Sequence, residues 1–126
     1  MTSGLRSIRA LKPDSLRGVT PAAIGKRLPT FDWVDPATLF VEEGYQRQVG
    51  EAGISLVRKI YAGFSWARFK PPVCVRMPDS VILVCIDGQH TAIAAASHPS
   101  IRKIPVMIVN AEDSRLRASA FVGHNR

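Results

Sequence analysis

Val81-Ile82-Leu83-Val84-Cys85-Ile86-Asp87-Gly88-Gln89-His90-Thr91-Ala92-Ile93-Ala94-Ala95-Ala96-Ser97 is the stretch on which the fold turns. Its first six residues are continuous, apolar and rich in β-branched side chains, as a buried strand requires. Its last seven are mostly alanine, the residue that enters a helix at the least cost. Between them, Asp87-Gly88 forms a turn. A strand that passes through such a turn into a helix leaves several backbone N–H groups without intrahelical partners. Together with the positive end of the helix dipole, those donors favour an anion. Gly88 would let a ligand approach the backbone, and His90 and Thr91 add side-chain donors, so the segment suggests a phosphate cradle. The plainer alternative is local: Asp87 as N-cap, Gly88 as turn glycine, and His90 as a surface residue of the first helical turn.

Working outward, Val73-Cys74-Val75-Arg76 reads as a strand that forms a hairpin with Val81–Ile86. If Pro78-Asp79-Ser80 is the loop, Met77 pairs with Val81, Cys74 faces Val84, and Cys85 opposes Val73 on the other face. A loop one residue longer would bring Cys74 and Cys85 opposite each other. Neither cysteine belongs to a CxxC or other zinc spacing, so both read as buried free thiols acting as small hydrophobes. Downstream, His98-Pro99 ends the alanine helix. Ile104–Val109 is a further strand, and a helix is expected from Ala111 onward with Leu116 and Ala120 facing inward. Upstream, Ile54, Val57, Tyr61 and Phe64 recur on one face of a helix over 51–61, with Leu56 and Ile60 beside them and Arg58 and Lys59 on the polar side. Short extended pieces flank Asp35-Pro36. The order β, α, β, β, α, β, α indicates a small α+β domain whose mixed sheet is flanked by helices.

The 126 residues are 46% hydrophobic, which suits one globular domain. No apolar run approaches the roughly 20 residues that span a bilayer, and no secretory h-region is present. A cytoplasmic location with no membrane partner is therefore expected. The charge is uneven. Residues 1–30 carry six cations, Arg6, Arg9, Lys12, Arg17, Lys26 and Arg27, against one carboxylate, Asp14. Residues 31–126 carry eleven cations against nine carboxylates. With Pro13, Pro21 and Pro29 and no sustained periodicity, 1–30 reads as a basic, largely extended arm, and the compact domain as 31–126. Such an arm suits the phosphate backbone of DNA, which attracts cations without regard to sequence. A solvated tail is the equal alternative.

Four pieces of 31–126, in order, resemble the N-terminal domain of ParB-type partition proteins and their sulfiredoxin and DGQHR-domain relatives. Tyr45-Gln46-Arg47 is similar to the arginine box after the first strand, and Lys70-Pro71-Pro72-Val73-Cys74-Val75-Arg76 to the Pro-Ile-x-Val-Arg strand. Asp87-Gly88-Gln89-His90 stands in the place of the Gly-Glu-Arg-Arg turn, and Ile104-Pro105-Val106 resembles the Ile-Pro-Val strand. The resemblance implies a ParB/sulfiredoxin-like fold that binds a nucleoside triphosphate, CTP or ATP with Mg. It implies phosphates at Gly88, Gln89, His90 and Thr91, with Arg47 and Arg76 near the same pocket as charge-assisted partners.

The chain also departs from that pattern. Sulfiredoxin chemistry needs a cysteine in the turn, where Gln89 stands, so this is not expected to be a sulfiredoxin reductase. Thr91 replaces the arginine that follows the histidine in the DGQHR relatives. The stretch comparable to the Glu-Asn-x-x-Arg hydrolysis box keeps Asn125 and Arg126 without the glutamate. The expected function is a nucleotide-binding, DNA-associated module in which the nucleotide biases conformation or homodimerisation. One alternative is a ParB-like nuclease or NTP-hydrolysing enzyme with Asp87 on a Mg ion, aided by His90, Glu112 or Asp113. The other is a non-enzymatic interaction domain that has lost nucleotide binding.

Overall fold

The computed structural model describes residues 4–42 and 51–110. They form an α+β unit with a four-stranded mixed sheet and two α-helices. The elements are β1 (Thr30–Val34), α1 (Glu51–Ala62), β2 (Val73–Arg76), β3 (Leu83–Asp87), α2 (Gln89–Ser97) and β4 (Ile104–Val109), with a short 3-10 turn at Pro36–Thr38. The sheet order is β1-β4-β2-β3. β1 pairs antiparallel with β4, and β2 antiparallel with β3, while β2 and β4 run parallel. A parallel pair needs a crossover; here β3 and α2 supply it. Beyond β3, Phe40 adds a one-residue parallel bridge to Val84.

Strict alternation sorts the side chains. Ile104, Val106 and Ile108 of β4 are buried while Pro105, Met107 and Val109 are only half-buried. The first set joins Cys74, Leu83, Cys85 and Ala95 in the core, ringed by Val34, Leu39, Phe64, Phe69 and Ile101. Val75 and Val84, partners on the opposite face, are buried too. In α2, Ala92, Ala94 and Ala95 are buried, and their small side chains let the helix lie close to its neighbours. The helix stops where His98 turns extended at ψ 125° ahead of Pro99, a conformation that the proline ring imposes on the residue before it.

One alternative is settled and the docking face of α1 is corrected in part. The hairpin loop is one residue longer than three: Met77 N–H donates to the Ile82 carbonyl at 2.9 Å, and Cys74 pairs with Cys85, Val75 with Val84, and Arg76 with Leu83. Asp79 takes a left-handed φ of 53°, which Asp tolerates better than most residues. The Ser80 hydroxyl accepts from Ile82 N–H at 3.0 Å. Val81 is consequently an exposed loop residue rather than the start of β3. On α1, Ile54, Leu56 and Tyr61 are exposed, and the half-buried positions are Gly53, Val57 and Ile60. Of the expected stripe, Val57 and Phe64 are half-buried while Ile54 and Tyr61 are not, so the helix is turned toward Ile60. The helix expected from Ala111 onward lies outside the described residues.

Candidate anion-binding cleft

The turn between β3 and α2 is built on Gly88. Its φ is +86°, in the left-handed region, and it is the N-cap of α2. Asp87, exposed and one residue earlier, does not cap the helix, and no side chain does. The first turn of α2, Gln89-His90-Thr91, therefore presents N–H groups that lack intrahelical acceptors. A Cβ added to Gly88 would lie 3.0 Å from Pro72 Cα and 3.3 Å from Pro72 Cβ. The space freed by this glycine is filled by the approach to β2 rather than left open to a ligand. Close packing of Pro72 pins the turn to the sheet, and Met107 N–H donates to the Pro72 carbonyl at 2.9 Å.

The turn residues divide between two cavities. Thr91 lines a cleft of about 290 Å³ together with Lys59, Ile60, Gly63, Phe64, Ser65, Arg68, Phe69 and Lys70. Gln89 lines a second groove of about 280 Å³ on Pro36, Ala37, Leu39, Val41, Cys85, Ala92, Ile93, Ala96 and Ser97. The two are chemically opposite. The first gathers three cations and two hydroxyls against a wall of two phenylalanines. The second has no charged lining residue.

The cations of the first cleft come from both sides of the α1 terminus. Lys59 lies in the last turn of α1. The Gly63–Lys70 connection then folds back on itself, with Arg68 N–H and Phe69 N–H donating to the Ser65 carbonyl at 3.0 and 2.9 Å, and Ala67 N–H donating to Ser65 Oγ at 3.1 Å. This compact loop returns Arg68 and Lys70 to the side where α1 meets α2. Behind it, Phe64, Trp66 and Phe69 pack with ring centroids 5.1–5.6 Å apart. Trp33 meets Trp66 edge-on at 6.1 Å. The His98 ring lies 5.4 Å from Tyr61 and 5.9 Å from Phe64, so it packs between elements. Among the described residues the one ion pair is Arg17–Asp14 at 2.6 Å. Lys59, Arg68 and Lys70 thus have no carboxylate within salt-bridge distance there.

Other expected site residues lie elsewhere. Arg76, expected beside the phosphates, pairs with Leu83 at the hairpin end of β2. That is five residues of strand from Gly88, roughly 16 Å at the usual rise. His90 is half-buried but does not line the basic cleft. Arg47, Glu112, Asp113, Asn125 and Arg126 lie outside the described residues. For a metal, no three His, Cys, Asp or Glu side chains converge among the described residues. Asp87, exposed at the end of β3, belongs to no such group. No described helix is long and apolar enough to cross a membrane.

The sequence had offered Lys59 only as part of a polar helix face, and Arg68 not at all. A recoverable signal existed: three cations and a serine clustered around a Gly63 helix stop. Its convergence with Thr91 needs α1 packed on α2.

The arm residues Arg6, Arg9, Lys12, Arg17, Lys26 and Arg27 are all exposed. Residues 4–29 carry a 3-10 turn at Pro13–Leu16, further turns at Gly4 and Arg17-Gly18, a bend at Lys26-Arg27, and no other helix or strand. Large apolar side chains are exposed along them as well, Ile8 fully and Ile24 and Leu28 by more than 80%. Set against protein-family models and against curated proteins, the chain matches none.

Proposed function

We propose that this domain binds the phosphates of a nucleotide in the cleft between α1, the 63–70 connection and the first turn of α2. The observation that carries this reading is that Lys59, Arg68 and Lys70 open with Thr91 on one cleft of about 290 Å³. Three cations and a helix start free of side-chain caps attract an anion of several charges, and Ser65 and Thr91 offer hydroxyls to its oxygens. The volume lies at the lower end of ligand sites, roughly 300 Å³ and above, so it suits a phosphate chain better than a whole nucleotide. Phe64 and Phe69 form the apolar wall beside it. Compared with the phosphate site suggested by the ParB-like resemblance, this one keeps Thr91 and adds cations around the end of α1. CTP and ATP are the nucleotides that the resemblance supports.

The basic arm is the second part of the proposal. Six exposed cations within residues 4–29 are suited to a DNA backbone, and the nucleotide would bias the conformation or dimerisation of a DNA-associated module.

Calorimetric titration of CTP, ATP and GTP, each with and without magnesium, into the full chain and into the Lys59→Ala/Arg68→Ala variant tests the nucleotide reading. Micromolar binding of one nucleotide that weakens at least tenfold in the variant supports it. Equal affinity in both proteins, or no binding to either, overturns it.

A further inference from the structure

Cys74 and Cys85 are register partners on adjacent antiparallel strands. Their site within the ladder follows from the hydrogen bonds of β3. Cys85 N–H donates outward to the Phe40 carbonyl at 2.7 Å, and Phe40 N–H donates to the Leu83 carbonyl at 3.0 Å. The backbone groups of Cys85 therefore point away from β2, and the two cysteines form a non-hydrogen-bonded pair. At such sites the Cα atoms lie about 4.5 Å apart and the side chains are close, inside the 4.4–6.8 Å that disulfides span. Alternation puts both side chains on one face of the sheet, in the same core cluster. Both are free thiols, and both are buried.

The two sulfurs differ. A hydrogen bond to Cys85, reinforced by burial, pushes the Cys74 thiol far above its ordinary range. Accepting from Cys74 lowers Cys85, against the opposing effect of burial. Cys85 is thereby the better nucleophile and Cys74 the proton holder. Cys85 is also the one that lines the uncharged 280 Å³ groove beside α2, which gives a small neutral molecule a path to its edge.

We propose that Cys74 and Cys85 are a peroxide-oxidisable dithiol that closes into an intramolecular disulfide between β2 and β3. The Cys85 thiolate attacks one oxygen of hydrogen peroxide, the O–O bond breaks, and the departing hydroxide is protonated to water. Cys85 is left as a sulfenic acid. The Cys74 sulfur then attacks the Cys85 sulfur, the S–O bond breaks, and the hydroxyl leaves as the second water with the Cys74 proton. Two thiols and one peroxide give one disulfide and two waters. Closure also removes the thiol hydrogen that Cys85 Sγ donates to the Asp87 carbonyl at 3.2 Å, so oxidation is felt one residue before Gly88.

The experiment exposes the folded full chain to equimolar hydrogen peroxide, then denatures it, alkylates it and maps it by mass spectrometry. The expected product is monomeric, lighter by two hydrogens, unreactive to alkylation at both cysteines, and yields a Cys74–Cys85 peptide pair that dithiothreitol separates. Cys74→Ala should instead trap with dimedone at Cys85. If that variant does not fold, the wild-type cross-link map decides alone. Alkylation of both cysteines after a dose that oxidises free cysteine overturns the proposal. So does Cys85 sulfinic acid without cross-link, or a disulfide-linked dimer as the main product.

Discussion

The two sides of α2 enclose cavities of nearly the same size and opposite character. On the side of Thr91 the cleft of about 290 Å³ is walled by Lys59, Arg68 and Lys70, while on the side of Gln89 and Ile93 the groove of about 280 Å³ has no charged wall. One helix therefore carries two environments, and the partners brought to it decide which is which. α1 and its returning loop deliver cations; the Pro36–Val41 segment delivers apolar side chains. A volume by itself says little about a ligand. The charge of the flanking segments separates an anion site from one that admits a small neutral oxidant.

The largest effect is expected where the two sides share a foundation. Gly88→Ala adds a methyl group 3.0 Å from Pro72 Cα at a φ of +86°, combining left-handed strain with overpacking. Urea denaturation should show a loss of about 2–4 kcal/mol, with both cavities affected together. An unchanged midpoint would mean that the turn relaxes freely and does not tie the two sides to the sheet.

The next effect should separate the sides. Arg68→Ala removes one charge-assisted contact, worth about 1.5–3 kcal/mol when the partner is bound, or roughly tenfold and more in nucleotide affinity. The rate of peroxide-driven thiol loss should not change. A variant that altered both would show that the cavities communicate through α2. In the opposite direction, Ile93→Lys brings a cation to the apolar groove. It should speed alkylation of Cys85 by stabilising its thiolate while leaving nucleotide affinity within about twofold, the scatter expected of distant sites.

The arm offers a milder test, at a distance from both cavities. Replacing Arg6, Arg9 and Arg17 by Glu should flatten the salt dependence of DNA affinity; an unchanged slope removes the arm as the contact. The smallest effect belongs to Asp14→Ala. It breaks an ion pair whose side chains are 79% and 86% exposed and should leave the thermal midpoint unmoved.

Much of the architecture was legible because local chemistry and tertiary structure agree. The β-branched runs of β2, β3 and β4, the alanines of α2 and the Pro99 stop each specify their element without help from distant residues. What depended on partners was left open or only partly read. The length of the 78–81 loop, open in the sequence, turned on the left-handed Asp79 and the Ser80–Ile82 hydrogen bond, and that one residue decides whether Cys74 faces Val84 or Cys85. Val57 and Phe64 of the expected stripe turn inward but Ile54 and Tyr61 do not, and Gly53 and Ile60 take their share, because several rotations of a helix rich in apolar residues satisfy the same period. Gly88 was visible as a special position. Its occupant, Pro72, was not.

By itself the sequence determined that a strand enters α2 through a glycine turn, that the sheet belongs to an α+β domain, and that positive charge concentrates in the first thirty residues. These follow from propensity, period and charge, which act over a few neighbouring residues. Only the tertiary structure decided that Lys59, Arg68 and Lys70 meet Thr91 in one cleft, that Arg76 stands at the far end of the hairpin, and that two thiols face each other across β2 and β3. Those relations join segments that are distant in sequence or set by a one-residue register. The packing of α1 on α2 and the hydrogen bonds of a four-residue loop select them, and no local preference does.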